Sequence, residues 1–330
     1  MRRVGIISCG ADAPGQNAAI RAVARKAFDY SYEVMGINYG FTGLLKNDAY
    51  VMDKSSVSGI LQIGGTILKT SIGNPFEKQE NIELAKKNFN KLGLSCLIVI
   101  GGFSYMKICS NLFENGINVI GIPSTIDNDI PYTDLTIGFM SAVNFVASAL
   151  DRLHSTASAH HRIFLIEVMG GGTGWIGTLG GLAGGADLIL VPEKSYTIDE
   201  ILKHTEQRQS SGKDFSLIVV SEEIKPPDDL SKIYNSSNFT DILNQELTKK
   251  SKHEVRKLSL GHLQRGGSPA SIDRIIATLY GVEAIELAKR GEVGRMVAIQ
   301  NSKITSVELS SIIERKSIDL EFIKLVSLFY

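Results

Sequence analysis

Two carboxylates and a hydroxyl lie close together in the segment Pro123-Ser-Thr-Ile-Asp-Asn-Asp129, which directly follows a predicted strand. Thr125 precedes Asp127 and Asp129, and the two acids are separated by one residue. Such a group suits the deprotonation of an alcohol, or phosphate chemistry that involves a metal ion. An Asx-turn cluster that caps a helix uses the same residue types. The spacing alone therefore leaves both interpretations open.

Glycine-rich segments follow two other predicted strands. Cys9–Gly15 links the first strand to a helix, and Gly101-Gly-Phe-Ser104 follows the strand at Cys96–Ile100. Glycines and small residues let backbone N–H groups approach a phosphate at a helix N-terminus. The first segment is neither a Walker loop nor a GxGxxG fingerprint. The first is equally compatible with a tight turn between a strand and a helix.

Arginines and a histidine supply the remaining candidates. His262 and Arg265 lie in the glycine-rich segment Leu260–Pro269, while Arg162 and Arg256 each lie at the start of an apparent strand. Arginine is the natural bidentate partner of a phosphate. A single arginine at a strand end is typically a solvated charge, but several of them together with His262 would form a phosphate pocket.

The elements that must position these residues alternate along the chain. The predicted strands are Val4–Ser8, Glu33–Asn38, Cys96–Ile100, Asn118–Ile122, Ile163–Val168, Leu188–Val191 and Leu217–Val220, and the predicted helices include Gly15–Phe28, Glu80–Leu92 and Thr136–His154. This alternation predicts an α/β fold with largely parallel sheets, and the continuous apolar strands predict sheets covered on both faces. Ligands in such sheets bind beyond the carboxyl ends of the strands.

Composition limits the classes of function. The chain has 330 residues, which predicts about two domains at ~150 residues each, and Lys+Arg and Asp+Glu are both 35, so the formal net charge is zero. That balance argues against a nucleic-acid or membrane surface. The three cysteines match no zinc or CxxC spacing, and we expect Cys96 to be a reduced core thiol. Without a signal-peptide core or a transmembrane run, we expect a soluble, cytoplasmic protein.

Taken together, these segments resemble the phosphofructokinase A family, the glycolytic 6-phosphofructokinases. The resemblance extends from Val4 to about Asn301, in order and at family spacing. The segments that carry it are GADAPGQNAAIR, GGTILKTSIGNPF, PSTIDND, TIGF, DRLHSTASAHHR, EVMG, AGGADLILVPE and LGHLQRGGSP. It implies two doubly wound, largely parallel-sheet α/β domains with the active site between them: a phosphoryl-donor-side domain at 1–138 and 265–314, and a sugar-phosphate-side domain at 139–264 and 315–330.

The resemblance also implies roles on the sugar side. Asp127 would be the general base for the sugar 1-hydroxyl, Thr125 would hold the transferring phosphoryl group, and Asp129 would lie near Mg²⁺ and the phosphates. The remaining residues implied to bind fructose 6-phosphate are Arg162, Met169, Gly170, Glu222, Arg256, His262 and Arg265. In the family Arg162 and Arg256 reach across a subunit interface, which implies a homo-oligomer, expected to be a tetramer.

The donor side departs from the family pattern. The implied donor-binding positions are Gly10, Ala11, Gly102, Phe103 and Ser104. Phe103 lies where the family has a metal-binding Asp, and Ala11 adds a methyl where backbone should approach phosphate. Two family arginines are replaced by Ile72 and Gly171. Ser124 leaves room for a nucleotide and supplies no cation for pyrophosphate, so ATP is the preferred expectation and pyrophosphate the alternative.

The family's effector pocket is altered as well. Arg21, Arg25 and Lys213 match its positions, Lys54 matches in part, and other family cations there are replaced. Three functional hypotheses follow: an active 6-phosphofructokinase, a catalytically impaired paralogue that binds sugar phosphate in a regulatory or structural role, and a kinase for a different phosphorylated sugar. Mg²⁺ is the expected metal, although its usual Asp ligand is absent.

Overall fold

The computed structural model describes residues 2–234, 236 and 238–329. The chain divides into two compact units, unit 1 (Met1–Ser141 and Arg265–Lys316) and unit 2 (Ala142–Gln264 and Ser317–Tyr330). Each unit is therefore built from two separate stretches of sequence. None of the helices formed by the described residues combines the length and the apolar character that a membrane span requires.

Unit 1 is a mostly parallel sheet with helices on its faces. Its strands are β1 (Arg3–Ser8), β2 (Glu33–Ile37), β3 (Ala49–Met52), β4 (Cys96–Gly101), β5 (Val119–Thr125), β6 (Ile137–Gly138), β11 (Arg295–Gln300) and β12 (Lys303–Glu308). Its helices are α1 (Gln16–Asp29), α2 (Gly40–Lys46), α3 (Gln79–Lys91), α4 (Phe103–Glu114) and α10 (Ser271–Arg290). The strand order is β12-β11-β5-β4-β1-β2-β3, with β6 beside β5. The outer strands β3 and β12 are antiparallel to their neighbours.

Both faces of this sheet are buried, as the apolar strands predict. Ile98 and Ile100 of β4 join one hydrophobic cluster, while Leu97 and Val99 join the other. Alternate residues of a strand point to opposite faces, so the two clusters lie on the two sides of the sheet. On one side α1 packs so closely against α10 that a Cβ on Gly281 would lie 2.6 Å from Ala22 Cβ. The absence of a side chain at Gly281 therefore allows the two helices to approach.

Unit 2 contains a smaller parallel sheet. Its strands are β7 (Ile163–Val168), β8 (Leu188–Leu190), β9 (Ser216–Ser221) and β10 (Val255–Ser259), in the order β10-β7-β9-β8. The helices are α6 (Trp175–Ala183), α7 (Ile198–Ser210), α8 (Asp228–Tyr234), α9 (Phe239–Lys250) and α11 (Leu320–Val326), and most of α5 (Phe139–His160), which starts in unit 1. Ile218 and Val220 of β9 are fully buried in the core of this unit.

Two predicted elements differ from the structure by more than one residue, and the second of them, the helix predicted at Thr136–His154, also ends later, at His160. The strand predicted to end at Ile122 continues to Thr125, so Ser124 and Thr125 are strand residues. The helix predicted to start at Thr136 starts at Phe139, because Ile137 and Gly138 pair with β5 instead. The Asp273 carboxylate accepts hydrogen bonds from the Gly138 and Ser141 backbone N–H groups at 3.0 and 2.7 Å. A partner from α10 thus fixes the start of this helix.

Candidate active site

A cavity of about 130 Å³ in unit 1 gathers many of the predicted site residues. It is lined by Ala11, Gly102, Phe103, Ser104, Tyr105, Ser124, Thr125, Asp127, Asp129, Arg265 and Arg315. The cavity lies at the carboxyl ends of β4 and β5, where an open parallel sheet binds ligands. The structure therefore brings the predicted acid–base residues and the predicted donor segment to one place.

Thr125 and Asp127 are linked by short-range hydrogen bonds. The Thr125 hydroxyl donates to Asp127 Oδ2 at 3.1 Å and accepts from the Asp127 backbone N–H at 3.2 Å. Thr125 is the last residue of β5, and Asp127 is half-buried in the loop that follows. The hydroxyl and the carboxylate are thus held side by side at the cavity wall.

Asn128 holds the shape of this loop. It has a positive φ of 51°, which asparagine tolerates better than most residues. Its side-chain oxygen accepts the Thr136 N–H at 3.0 Å, and its amide donates to the Asp134 carbonyl at 3.2 Å. Asn128 is buried, so the two flanking aspartates are positioned by a residue that contacts the protein interior. Sequence reasoning did not assign Asn128 a role, although its place between two acids in a tight segment was a signal.

Asp129 is far more buried than Asp127. Burial, together with repulsion from Asp127, raises the pKa of Asp129 to about 6, although Arg315 and Lys316 oppose the shift. Arg315 Nε lies 3.3 Å from Asp129 Oδ2. The other oxygen, Oδ1, is buried and accepts no hydrogen bond from the part of the chain that the structure describes. Sequence reasoning missed Arg315, which lies far along the chain in a segment without a recognisable motif.

The N-terminus of a helix lines the same cavity as Thr125, Asp127 and Asp129. Gly102 precedes α4, which begins at Phe103 and carries no acidic residue in its first turn. Phe103 and Ser104 therefore present backbone N–H groups at the positive end of a helix dipole, where anions bind. Gly10 lies beneath this turn with φ 84°, and a Cβ there would lie 2.3 Å from the Tyr105 ring. This position requires glycine.

The two positions where the resemblance implies an arginine in the family carry no charge in this chain. The Ile72 side chain is 86% exposed, and Gly171 belongs to unit 2 with φ 57°. Arg265 lines the cavity, and its guanidinium lies 3.4 Å from the Asp12 carbonyl. Within unit 1, the guanidinium groups that line the cavity are thus those of Arg265 and Arg315.

Four of the predicted sugar-binding residues lie at the carboxyl end of the unit 2 sheet. Met169 and Gly170 follow β7, Glu222 follows β9, and His262 lies in the short helical turn after β10. Glu222 Oε1 accepts the Gly170 N–H at 3.2 Å. The Glu222 carboxylate and the glycine-rich turn after β7 are thus hydrogen-bonded to each other at the carboxyl end of the sheet.

The remaining two, Arg162 and Arg256, lie at the opposite end of that sheet. Arg162 directly precedes β7, and Arg256 is the second residue of β10. Arg162 Nε lies 2.5 Å from Glu254 Oε2, and Arg256 also pairs with Glu254. The side-chain hydrogen bond from Arg162 lowers the pKa of Glu254, so this carboxylate is ionised at neutral pH. Strands of five and six residues at about 3.3 Å per residue separate this pair from Glu222.

The four predicted effector residues are distributed over both units. Arg21 and Arg25 lie one turn apart on α1, Lys54 follows β3, and Lys213 lies in unit 2 after α7. Arg25, Lys54 and Lys213 are exposed, and Arg21 is half-buried. In the part of the chain that the structure describes, none of these four residues takes part in an ion pair.

A parallel sheet whose strand ends present a paired hydroxyl and carboxylate, next to a helix N-terminus and two arginines, is typical of phosphoryl-transfer proteins. The phosphofructokinase family model matches residues 3–288. The chain is 43% identical to ATP-dependent 6-phosphofructokinase 2 of Clostridium perfringens, across 97% of this chain and 94% of that protein. It is 37% identical to pyrophosphate–fructose 6-phosphate 1-phosphotransferase of Dictyoglomus thermophilum, across 99% and 98%. The chain therefore belongs to the phosphofructokinase family, as the resemblance of its motifs predicts.

Solved structures agree on the fold. Pichia pastoris phosphofructokinase in the T-state matches 94% of this chain with a TM-score of 0.87 and 30% identity, and this chain spans 35% of that longer one. The pyrophosphate-dependent phosphofructokinase from Marinobacter aquaeolei matches 99% of this chain and 88% of its own, with a TM-score of 0.85 and 20% identity. The predicted α/β fold with mostly parallel sheets is confirmed.

Proposed function

We propose that this protein is a 6-phosphofructokinase that transfers a phosphoryl group from ATP to the 1-hydroxyl of fructose 6-phosphate. The observation that carries the proposal is the cavity in which Thr125 and Asp127 are hydrogen-bonded beside the N-terminus of α4. Relatives at about 40% identity are ATP-dependent 6-phosphofructokinases, which supports the same activity for this chain.

Asp127 takes the proton from the sugar 1-hydroxyl in this proposal. It is the more exposed of the two loop carboxylates, so a substrate reaches it. The Thr125 hydroxyl, 3.1 Å from Asp127 Oδ2, then holds an oxygen of the phosphoryl group in transfer. A positioned base and positioned hydrogen-bond donors are the main protein contributions to phosphoryl transfer.

Mg²⁺ fits this site only together with the donor's phosphates. No group of three or more His, Cys, Asp or Glu residues that could hold a metal occurs in the described parts of the chain. Mg²⁺ is nevertheless commonly held by one or two carboxylates plus substrate phosphates. Asp129, whose Oδ1 is buried without a hydrogen-bond donor in the described chain, would be its protein ligand. When bound, the ion neutralises phosphate charge.

ATP is favoured over pyrophosphate by the space beside the cavity. A second hollow of about 300 Å³ shares Phe103 and Ser104 with it and is also lined by Asn74, Lys107, Ile108 and Asn111. Pyrophosphate has no group to occupy such a hollow, whereas a nucleotide does. Ser124 is buried and accepts a hydrogen bond from Gln16 at 3.2 Å, so it presents no cation to pyrophosphate.

A homo-oligomer, taken to be a tetramer, is part of the proposal. Arg162 and Arg256 lie at the amino ends of their strands, while Gly170 and Glu222 lie at the carboxyl ends. One copy of unit 2 therefore does not bring all of these residues to a single sugar phosphate. A second copy that supplies Arg162 and Arg256 completes the set, and sedimentation velocity tests this arrangement.

A coupled assay of the purified chain with fructose 6-phosphate and either ATP or pyrophosphate tests the function. Turnover with ATP above that with pyrophosphate supports the proposal. The second candidate, an impaired paralogue that binds sugar phosphate, is favoured by Phe103, Ile72 and Gly171 on the donor side. Calorimetric binding of fructose 6-phosphate without turnover on either donor would select that candidate, and absence of both would reject the two together.

A further inference from the structure

We propose that Arg315 binds the phosphates of the phosphoryl donor and supplies positive charge that Ile72 and Gly171 do not. This inference rests on the proposed function and extends it to a residue outside the motif segments. Arg315 lines the same cavity as Thr125 and Asp127. Its side chain is 48% exposed, so a ligand in the cavity reaches it.

The guanidinium is held from two sides. Its Nε lies 3.3 Å from Asp129 Oδ2, and its central carbon lies 5.6 Å from the centre of the Phe103 ring. A cation within about 6 Å of an aromatic face is attracted by the ring quadrupole. Phe103 therefore not only replaces the aspartate that the resemblance implies at this position. Its ring also stabilises the Arg315 guanidinium.

The backbone around Arg315 is fixed to the loop that carries Asp129. The Lys316 N–H donates to the Asp129 carbonyl at 2.8 Å, and Lys316 Nζ donates to the Thr133 carbonyl at 2.8 Å. Upstream, Leu309 and Ile312 are buried in the core of unit 1. The arginine is therefore presented from an anchored segment, which lowers the entropy lost when it binds a ligand.

The charges of the cavity point to a polyanionic occupant. Asp127 and Asp129 are balanced by Arg265 and Arg315, and the N-terminus of α4 adds further positive potential. The planar guanidinium matches the spacing of phosphate oxygens and binds them through paired N–H groups. A triphosphate entering along α4 would meet the helix N-terminus and Arg315 together.

The test is calorimetry on the full-length chain with ATP, AMP and fructose 6-phosphate as separate titrants. Arg315→Met should weaken ATP binding about 10- to 100-fold, the range of a lost charged hydrogen bond. AMP and fructose 6-phosphate should bind as in the wild type. Arg290→Met is the matched control, because Arg290 is 44% exposed and paired with Glu283 and Glu292. It should leave ATP binding unchanged.

Other outcomes would overturn the inference. Equal losses for ATP and AMP would mean that Arg315 acts only by holding Asp129, and an unchanged ATP affinity would mean that it does not touch the donor. If Arg315→Met does not fold, Arg315→Gln takes its place in the same titrations. Arg315-dependent ATP binding in a wild type that phosphorylates no sugar would reject the proposed function and support this inference.

Discussion

At the scale of single residues, the two loop carboxylates are made chemically different by their surroundings. Asp127 is half-buried beside Thr125, while burial and the nearby Asp127 charge raise the pKa of Asp129 to about 6. Carboxylates in one site with such different environments commonly take different roles. The structure therefore supports Asp127 as the base and Asp129 as the residue nearest the donor's charge.

Asp127→Asn should strongly reduce turnover while it preserves binding of the sugar phosphate. The amide keeps the size of the side chain but cannot accept a proton, so kcat should fall about 100- to 10,000-fold. Steady-state assays with fructose 6-phosphate and MgATP measure the fall, and calorimetry should give an unchanged affinity for the sugar phosphate. Asp134→Asn is the control, because Asp134 lies outside the cavity. Retained turnover in Asp127→Asn would assign the base elsewhere.

Glu254→Gln should tighten the binding of fructose 6-phosphate. Glu254 pairs with both Arg162 and Arg256, so if these arginines bind the sugar phosphate as proposed, the phosphate must compete with this carboxylate. Exposed ion pairs are weak, and the gain should be up to about fivefold. Calorimetry measures it, with Glu292→Gln as a control whose carboxylate has the same 46% exposure and also pairs with an arginine. Weaker binding would show instead that Glu254 orients the arginines for the phosphate.

Sequence reasoning at this scale found residues that lie in motifs and missed those that act through the fold. Thr125, Asp127 and the Gly102–Ser104 turn were predicted as site residues, and they line one cavity. Arg315 was missed because nothing in the local sequence around it indicates where its backbone is anchored. Asn128 was missed because its role depends on contacts with Thr136 and Asp134, which only the folded loop creates.

At the scale of elements, the buried strands were the most predictable part of the chain. β1, β4 and β5 are buried runs rich in Val and Ile, and the pattern locates each of them within a few residues. The outer strands β3 and β12 were not predicted: β3 has only four residues, β12 carries no continuous apolar run, and most of their residues are exposed or half-buried. The apolar strand β11 was missed as well. The start of α5 was misplaced because Asp273, distant in sequence, holds the Gly138 and Ser141 N–H groups.

Gly281→Ala should destabilise unit 1 by separating α1 from α10. The added Cβ would lie 2.6 Å from Ala22 Cβ and 2.9 Å from the Ala19 carbonyl oxygen. Overpacking of this kind typically costs about 1–3 kcal/mol, which outweighs the gain of about 0.5–1 kcal/mol from replacing a helical glycine. Urea unfolding followed by circular dichroism measures the free energy.

Ala22→Gly provides the matched test of that cause. In the Gly281→Ala background it removes the contacting Cβ, so the double variant should be more stable than the sum of the two single changes predicts. Additive free energies of unfolding would show that the contact between these two positions is not what limits the approach of the helices.

At the scale of the whole molecule, the chain builds each unit from separated stretches. β11, β12 and α10 of unit 1 follow the last residue of the long unit 2 insertion, and α11 returns to unit 2. No linker composition marks these crossings, so composition alone could not reveal them, and the expected boundaries came from family resemblance. This arrangement also explains why Arg315, close to the end of unit 1 in sequence, lines a cavity formed largely by residues before 130.

The donor site, rather than the acceptor site, should limit turnover of the whole enzyme. In the proposed function Thr125 and Asp127 serve the acceptor, whereas Phe103 offers no metal ligand and Ile72 no charge. We expect wild-type turnover with MgATP below the ~10 s⁻¹ that is ordinary for enzymes. The double variant Phe103→Asp with Ile72→Arg should raise it about tenfold or more, since a single electrostatic donor is often worth more than that.

The structure indicates that this variant should fold. Position 103 is the first residue of α4, where an aspartate is favoured by the helix dipole, and Ile72 is 86% exposed. Gly171 is left unchanged, because its φ of 57° would cost any other residue about 1–2 kcal/mol. Phe103→Leu is the control: it removes the ring beneath Arg315 without adding a ligand, so it should weaken ATP binding and bring no gain in kcat. A folded double variant that binds MgATP more tightly and is no faster, or a wild type already at ~10 s⁻¹, would contradict the prediction.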